Sequence, residues 1–241
     1  MTQLISLIQV AVVFGTVIMF GCIGEIITEK AGNLNLGVPG IMYLGGIFGL
    51  IGAFYYEKSV PNPNGVVSLI LSFVCAFAAS ALAGLIYSFL TITLRANQNV
   101  TGLTLTIFGS GIANFYGGYL NKLGVGQISV ATTSAAYRTV LPFATSTGVF
   151  GKIFFSYGFL VYLAIILAVV VQYYFNRTRS GLALRAIGES PATADAAGIS
   201  VTRCKYLATC IGAGISGLGG LYYVMDYIKG TWANDGKLES L

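Results

Sequence analysis

The chain has 241 residues, 56% of them apolar and only 9% charged, with a mean hydropathy of +0.80 and a formal net charge of +5 from 13 basic and 8 acidic side chains. An average soluble domain carries roughly 25% charged residues, so this composition cannot cover a water-facing surface and excludes a soluble globular domain. The positive balance fits cytoplasmic loops of a membrane protein better than a nucleic-acid surface. Cys22, Cys75, Cys204 and Cys210 show no C-x-x-C spacing and there is no histidine, so the cysteines read as small buried thiols, with neither a metal site nor a disulfide framework.

The opening MTQLISLIQVAVVFGTVIMF has no basic leader, and its apolar run outlasts a signal-peptide core; it reads as a first span, about 4–27. TEKAGNLNLGVPG then leads to a second span, about 36–56. Glu57, Lys58 and VPNPNG at 60–65 mark a surface loop before a third span, about 66–94. RANQN at 95–99 links it to a fourth span, about 100–120. Residues 121–152 are rich in Ser, Thr and Gly and read as an extramembranous loop able to hold a short helix. The fifth span, about 153–175, ends in YYFNRTR; after a polar segment, 176–202, comes the sixth, about 203–225, and a polar tail, WANDGKLESL. The uncharged windows underlying these spans reach the roughly 20 residues a helix needs to cross the hydrocarbon core. The expected fold is therefore all-α: a polytopic transmembrane helical bundle of about six spans, one domain over 1–241.

Arg177, Arg179, Arg185, Arg203 and Lys205 crowd into 176–205, which places that segment in the cytoplasm by the positive-inside rule. Alternation then puts 121–152 and both termini outside, unless a break near 28–40 changes the parity. Gly212, Ser216 and Gly220 lie four apart on one helix face, as do Gly45 and Gly49; small faces of this kind let helices approach closely in lipid.

ALRAIGESPATADAAGIS, 183–200, contains a short bounded helix. Ser190-Pro191 is a helix start and Gly198 a stop, leaving roughly two turns, too few to be stable alone. Its alanines offer little area for lipid. From the residues it is either an ordinary structured loop or a helix inserted into a partner's groove.

Polar residues inside spans are costly and often functional. Asn33, Asn35, Gln98, Asn99 and Asn114, with the aromatic rings of Phe115 and Tyr116, are candidates for a substrate path, since amides donate to and accept from a hydroxyl or a base edge without charge. Capping and interhelix bonding are the competing roles. Asn33 and Asn35 stand in a Gly-flanked segment that favours a helix break, where transporters bind or gate solutes. Glu25 and Glu29 share a face near an interface, solvated or paired with Lys30. No acidic residue stands well inside an uncharged window, which speaks against an ion-coupled secondary transporter. The absence of histidine, metal cluster and Asp pair speaks against an intramembrane enzyme. The nearest approach to a P-loop, GVFGKI at 148–153, lacks its glycine spacing and its Ser/Thr.

LRAIGESPATADAAGISVTRCKYLA resembles the cytoplasmic coupling segment of ABC-importer permeases of the branched-chain amino acid, ribose and nucleoside group. GEIITEKAGNLNLGVPGIMYLGG, 24–46, and RANQNVTGLTLTIFGSGIANF, 95–115, are similar to two further segments of the nucleoside subgroup. Pro39 stands where that group usually has an acidic residue, and its members continue past the Trp232 region into further spans. The resemblance implies a permease subunit of a bacterial cytoplasmic (inner) membrane importer, moving a nucleoside-like solute; ribose-type sugars and riboflavin are alternatives. It implies as partners an ABC ATPase subunit that binds ATP and Mg, a second permease subunit and an extracytoplasmic solute-binding protein, with no cofactor in this chain. Coupling to the ATPase would rest on Gly188, Glu189, Ala194, Asp195 and Gly198, the carboxylates pairing with basic partner residues and the small residues allowing close approach.

Overall fold

The computed structural model describes residues 2–123, 128–140 and 153–232. In chain order the helices are α1, Thr2–Lys30; α2, Val38–Ser59; α3, Gly65–Ser88, which runs on through a wider π-helical turn, Phe89–Thr93; and α4, Gln98–Leu123. Then come α5, Ala131–Tyr137; α6, Phe159–Arg177; α7, Arg179–Glu189; α8, Pro191–Ala196; and α9, Val201–Tyr222, which ends in a second π-helical turn, Tyr223–Tyr227. Among the described residues the one β-type pairing is an isolated bridge between Ser129 and Thr231.

Five of these helices are long and apolar enough to cross a membrane: α1, α2, α3, α6 and α9. The fourth expected span forms as a helix, α4, whose 26 residues reach about 39 Å at 1.5 Å per residue, but it is not among the five apolar enough to cross. Its threonines, serine, asparagines and glycines leave it more polar than the other five. The expected all-α polytopic bundle is what forms.

Side-chain caps set several helix starts. The Asn64 Oδ1 accepts the Val66 N–H at 3.1 Å, that of Asn97 accepts the Asn99 N–H at 3.0 Å, and the Thr178 hydroxyl accepts the Gly181 N–H at 3.0 Å. Ser190 departs from expectation. It occupies the N-cap position of α8, but its hydroxyl pairs with that of Thr193 at 2.8 Å and caps no backbone N–H. Gly198, at φ +80°, stops α8 as expected, in a left-handed conformation that costs glycine little.

α9 is the axis of the bundle. In its most apolar stretch 83% of residues are buried, against 22% for α6, which lies at the periphery. The small face predicted on α9 makes this possible. A Cβ on Gly212 would strike the Gly24 carbonyl, one on Gly217 the Ser80 hydroxyl, and one on Gly220 the Met42 carbonyl. On the facing helix, a Cβ on Gly45 would strike the Gly217 backbone. Without hydrophobic driving force between helices in lipid, such contact supplies the dispersion attraction that holds them together.

Phe14 of α1 packs edge-on against Tyr227, while Asn33, just beyond α1, bonds Thr209 near the start of α9. The two helices are therefore antiparallel. α2 then runs back alongside α9, so the break at 31–37 does not change the parity of the spans.

α5 closes one end of the bundle. The Glu57 carboxylate accepts both the Thr133 N–H at 2.7 Å and the Thr133 hydroxyl at 2.6 Å. The Tyr137 hydroxyl donates to the Leu69 carbonyl at 2.9 Å, the Ser134 hydroxyl donates to that of Met225 at 2.9 Å, and the Tyr137 ring stacks on Phe159. Burial pushes the Tyr137 phenol up, which keeps it protonated as a donor. α5 is the short helix expected within 121–152; residues 124–127 and 141–152 of that stretch, and the tail from 233 onward, lie outside the described residues. Glu57→Ala is expected to cost about 1–2 kcal/mol by uncapping α5, read as a lower Tm of the purified chain. Glu57→Gln, which keeps an acceptor, should recover most of the loss.

Candidate solute path at a broken helix

Between α1 and α2 the chain leaves the helix over residues 31–37. Gly32, at φ +80°, turns it back. The strip then alternates, with Asn33 and Asn35 buried and Leu34 and Leu36 exposed at 42% and 43%. This is the two-residue period of extended chain.

Irregular backbone inside a membrane bundle persists only where protein or a water-lined cavity satisfies its polar groups. Here the surrounding helices do so. The Asn33 N–H donates to the Thr28 carbonyl at 3.2 Å, the Leu34 N–H to Gln98 Oε1 at 2.8 Å, and the Asn35 N–H to Glu25 Oε1 at 2.8 Å. The Leu34 carbonyl accepts the Tyr87 hydroxyl at 2.5 Å, and the Leu36 carbonyl accepts that of Thr106 at 3.1 Å. Asn33 Nδ2 donates to the Thr209 hydroxyl at 3.1 Å, and Asn35 Oδ1 accepts the Gly37 N–H at 2.9 Å. Side chains from α1, α3, α4 and α9 thus converge on one short strip. Thr209 lies about 12 Å along α9 from its start, so the strip packs among the helices at the end of the bundle that carries α7.

A cavity of about 370 Å³ opens beside it between α1 and the start of α2, bordered by Gly21, Cys22, Glu25, Asn35, Pro39 and Met42. Glu25 Oε2 is enclosed and has no hydrogen-bond partner among the described residues. Glu25 stands one residue beyond its uncharged window, near the end of α1, yet one of its carboxylate oxygens is enclosed. Glu25 belongs to the membrane-crossing stretch Ile5–Lys30, and the returning strip covers it. Asp226 likewise falls within the stretch Val201–Tyr227, at the opposite end of the bundle.

Of the candidate path residues, Asn33, Asn35 and Gln98 come together. Their amides serve the strip itself, which turns Leu34 and Leu36 outward. Asn99 is exposed in the first turn of α4. Asn114 is half-buried and Phe115 is 71% exposed, both roughly 24 Å along α4 from Gln98. Glu25, Tyr87, Thr106 and Thr209 were missed as members of the site. Only Glu25 left a sequence signal, a carboxylate one residue beyond an uncharged window.

The polar segment 176–202 meets the strip directly. α7 leaves α6 by a tight elbow at which a Cβ on Gly181 would strike the Tyr174 carbonyl. At the other end of α7, a Cβ on Gly188 would strike the Lys30 carbonyl, and one on Gly32 would come within 3.2 Å of Gly188 Cα. Backbone therefore lies against backbone where α7 ends and the strip begins. α8 follows after the single residue Ser190. Glu189, Asp195 and Gly198 are exposed, but Ala194 is only 3% exposed and faces its own chain.

The chain is 31% identical over 220 residues, 90% of its length, to "Putative glucose ABC transporter permease protein TsgC13" of Haloferax volcanii. It is 30% identical over 97% of its length to the guanosine ABC transporter permease protein NupQ of Bacillus subtilis. It is 29% identical over 88% of its length to the nucleoside ABC transporter permease protein NupC of Lactococcus lactis. The chain spans 62%, 73% and 64% of the lengths of these three relatives. No solved structure gives a significant match. The family described as branched-chain amino acid transport system / permease component matches residues 6–238, nearly the whole sequence, and the chain belongs to that family of multi-pass membrane permeases.

Proposed function

We propose that this chain is the transmembrane permease subunit of an ATP-driven ABC importer in the bacterial cytoplasmic (inner) membrane, and that it translocates a nucleoside-like solute. The observation that carries this reading is the likeness, over 97% and 88% of the chain, to permeases whose names give guanosine and nucleosides. A sugar is the second reading, supported by the Haloferax relative, whose name gives glucose. Within this proposal ATP and Mg bind a partner ATPase, a second permease subunit completes the path, and an extracytoplasmic solute-binding protein delivers the solute. This chain needs no cofactor of its own. Residues 176–202 are cytoplasmic and 121–152 extracytoplasmic.

The path runs along the broken strip. Its backbone is already bonded to the surrounding helices, so it presents a prearranged wall of Leu34 and Leu36, with Gln98 and Glu25 behind. A solute N–H or hydroxyl that reached Glu25 Oε2 would gain a charge-assisted bond. An ion-coupled transporter would need a carboxylate in mid-span, whereas Glu25 stands five residues before the end of α1; family membership argues against that reading as well. For energy transfer, closure of the ATPases pushes on α8 through the outward charges Glu189 and Asp195. α7 carries the push through Gly188 to Lys30 and Gly32, the first links of the strip. Ala194 holds α8 on its own chain, and Gly198 frees its far end.

The test is uptake of radiolabelled guanosine, ribose and glucose by cells carrying the assembled transporter, with the partner ATPase intact or catalytically dead. Guanosine uptake that outruns both sugars and vanishes with the dead ATPase is the expected result. Preferential sugar uptake would replace the nucleoside reading, and uptake persisting with the dead ATPase would sink the ABC mechanism.

A further inference from the structure

At the end of the bundle that carries α7, a groove of about 350 Å³ runs between α1 and the peripheral helix α6. Val171 and Phe175, four apart on one face of α6, wall it with Ile26 of α1. Nearer the helix ends it is lined by Asn176, by Lys30 and by Arg185, which reaches in from α7. α1 and α6 both run toward this end, so polarity rises in the same direction on both walls, from a largely apolar depth that includes one amide, Gln172, to cations at the mouth. Lys30 and Arg185 are the charged residues of the lining; they also border a smaller neighbouring cavity of about 180 Å³ together with Glu29 and Glu189, whose carboxylates stand on the far side of the two cations from the groove.

This gradient matches one kind of molecule. An acyl chain fits apolar walls at membrane depth, and a phosphate at the interface fits two cations. Pockets of this kind between transmembrane helices bind anionic headgroups, because each near-surface cation adds attraction that a zwitterionic headgroup does not return. We propose that the α1–α6 groove binds one anionic phospholipid, with an acyl chain along Val171 and Phe175 and the phosphate between Lys30 and Arg185. The bound phosphate joins α1 to α7 beside the seat of Gly188, so the lipid clamps the coupling segment onto the bundle. The inference does not depend on which solute is carried.

The full chain is purified from a bilayer of phosphatidylcholine and phosphatidylglycerol, and retained lipid is read by native mass spectrometry. Wild type should retain phosphatidylglycerol over phosphatidylcholine by roughly thirtyfold, the product of two near-surface cations. Lys30→Gln with Arg185→Gln should bring the ratio close to one. Arg177→Gln with Arg179→Gln removes exposed charges outside the groove and should leave the ratio unchanged. Ile26→Trp fills the groove with both cations in place and should abolish retention, which keeps the test decisive if the double charge variant does not fold. Equal retention of the two lipids by wild type, unchanged retention in Ile26→Trp, or an equal loss in the Arg177/Arg179 variant overturns the proposal.

Discussion

Glu25→Leu is expected to lower solute uptake by about tenfold or more, while Glu25→Gln keeps most of it. Leucine fills similar space but leaves the buried Asn35 N–H without its acceptor, and an unpaired buried donor costs about 1–3 kcal/mol. The strip also loses the bond that draws it onto α1, so the wall of the path shifts with it. Glutamine restores an acceptor at the same reach, although a neutral one. Uptake is measured per copy of chain in the membrane, so that poor expression is not mistaken for lost transport. Equal activity of Glu25→Leu and wild type would remove the strip from the mechanism. A loss as deep in Glu25→Gln as in Glu25→Leu would assign the role to the charge, and hence to the unpartnered Oε2, rather than to the backbone bond.

Gly188→Leu is expected to uncouple the transporter. A side chain here drives α7 away from the Lys30 carbonyl, an overpacking cost of about 1–3 kcal/mol placed at a junction where α7 and the strip touch backbone to backbone. Uptake and solute-stimulated ATP hydrolysis should both fall by about tenfold, while the ATPase still copurifies through α8. Gly111→Ala is the control, because a Cβ there meets nothing within 4 Å and the residue lies within α4, where alanine suits the helix. Normal uptake in Gly188→Leu at normal expression would refute transmission through this contact.

Much of the framework was legible because it rests on short-range pattern. The uncharged windows located the membrane-crossing helices, Gly198 marked the end of α8, and the Gly212/Ser216/Gly220 face announced the crossing at the centre of the bundle. α8 itself was legible for the same reason, bounded in the sequence by Pro191 and Gly198. Ser190 shows the limit of local rules. Its type and position suit a cap, yet its hydroxyl is satisfied by Thr193 instead.

The site was half legible. Asn33 and Asn35 were singled out correctly as a break, but their amides turned out to hold the strip together. Asn99, Asn114 and Phe115 were candidates by residue type alone, and helical rise carries Asn114 and Phe115 far from the strip. Ala194 was offered to a partner because it is small, and it is buried on its own chain for the same reason.

By itself the sequence determined the class of protein, the approximate spans, the broken segment and the family resemblance, because hydropathy, charge asymmetry and motif order act along the chain. Only the tertiary structure decided that one carboxylate oxygen of Glu25 is enclosed, that Tyr87, Gln98, Thr106 and Thr209 satisfy the strip, and that Gly188 sits against Gly32. Those facts depend on which helices lie side by side. Thr209 and Asn33 are 176 residues apart, and no local pattern encodes a contact that exists only after α9 has packed into the centre.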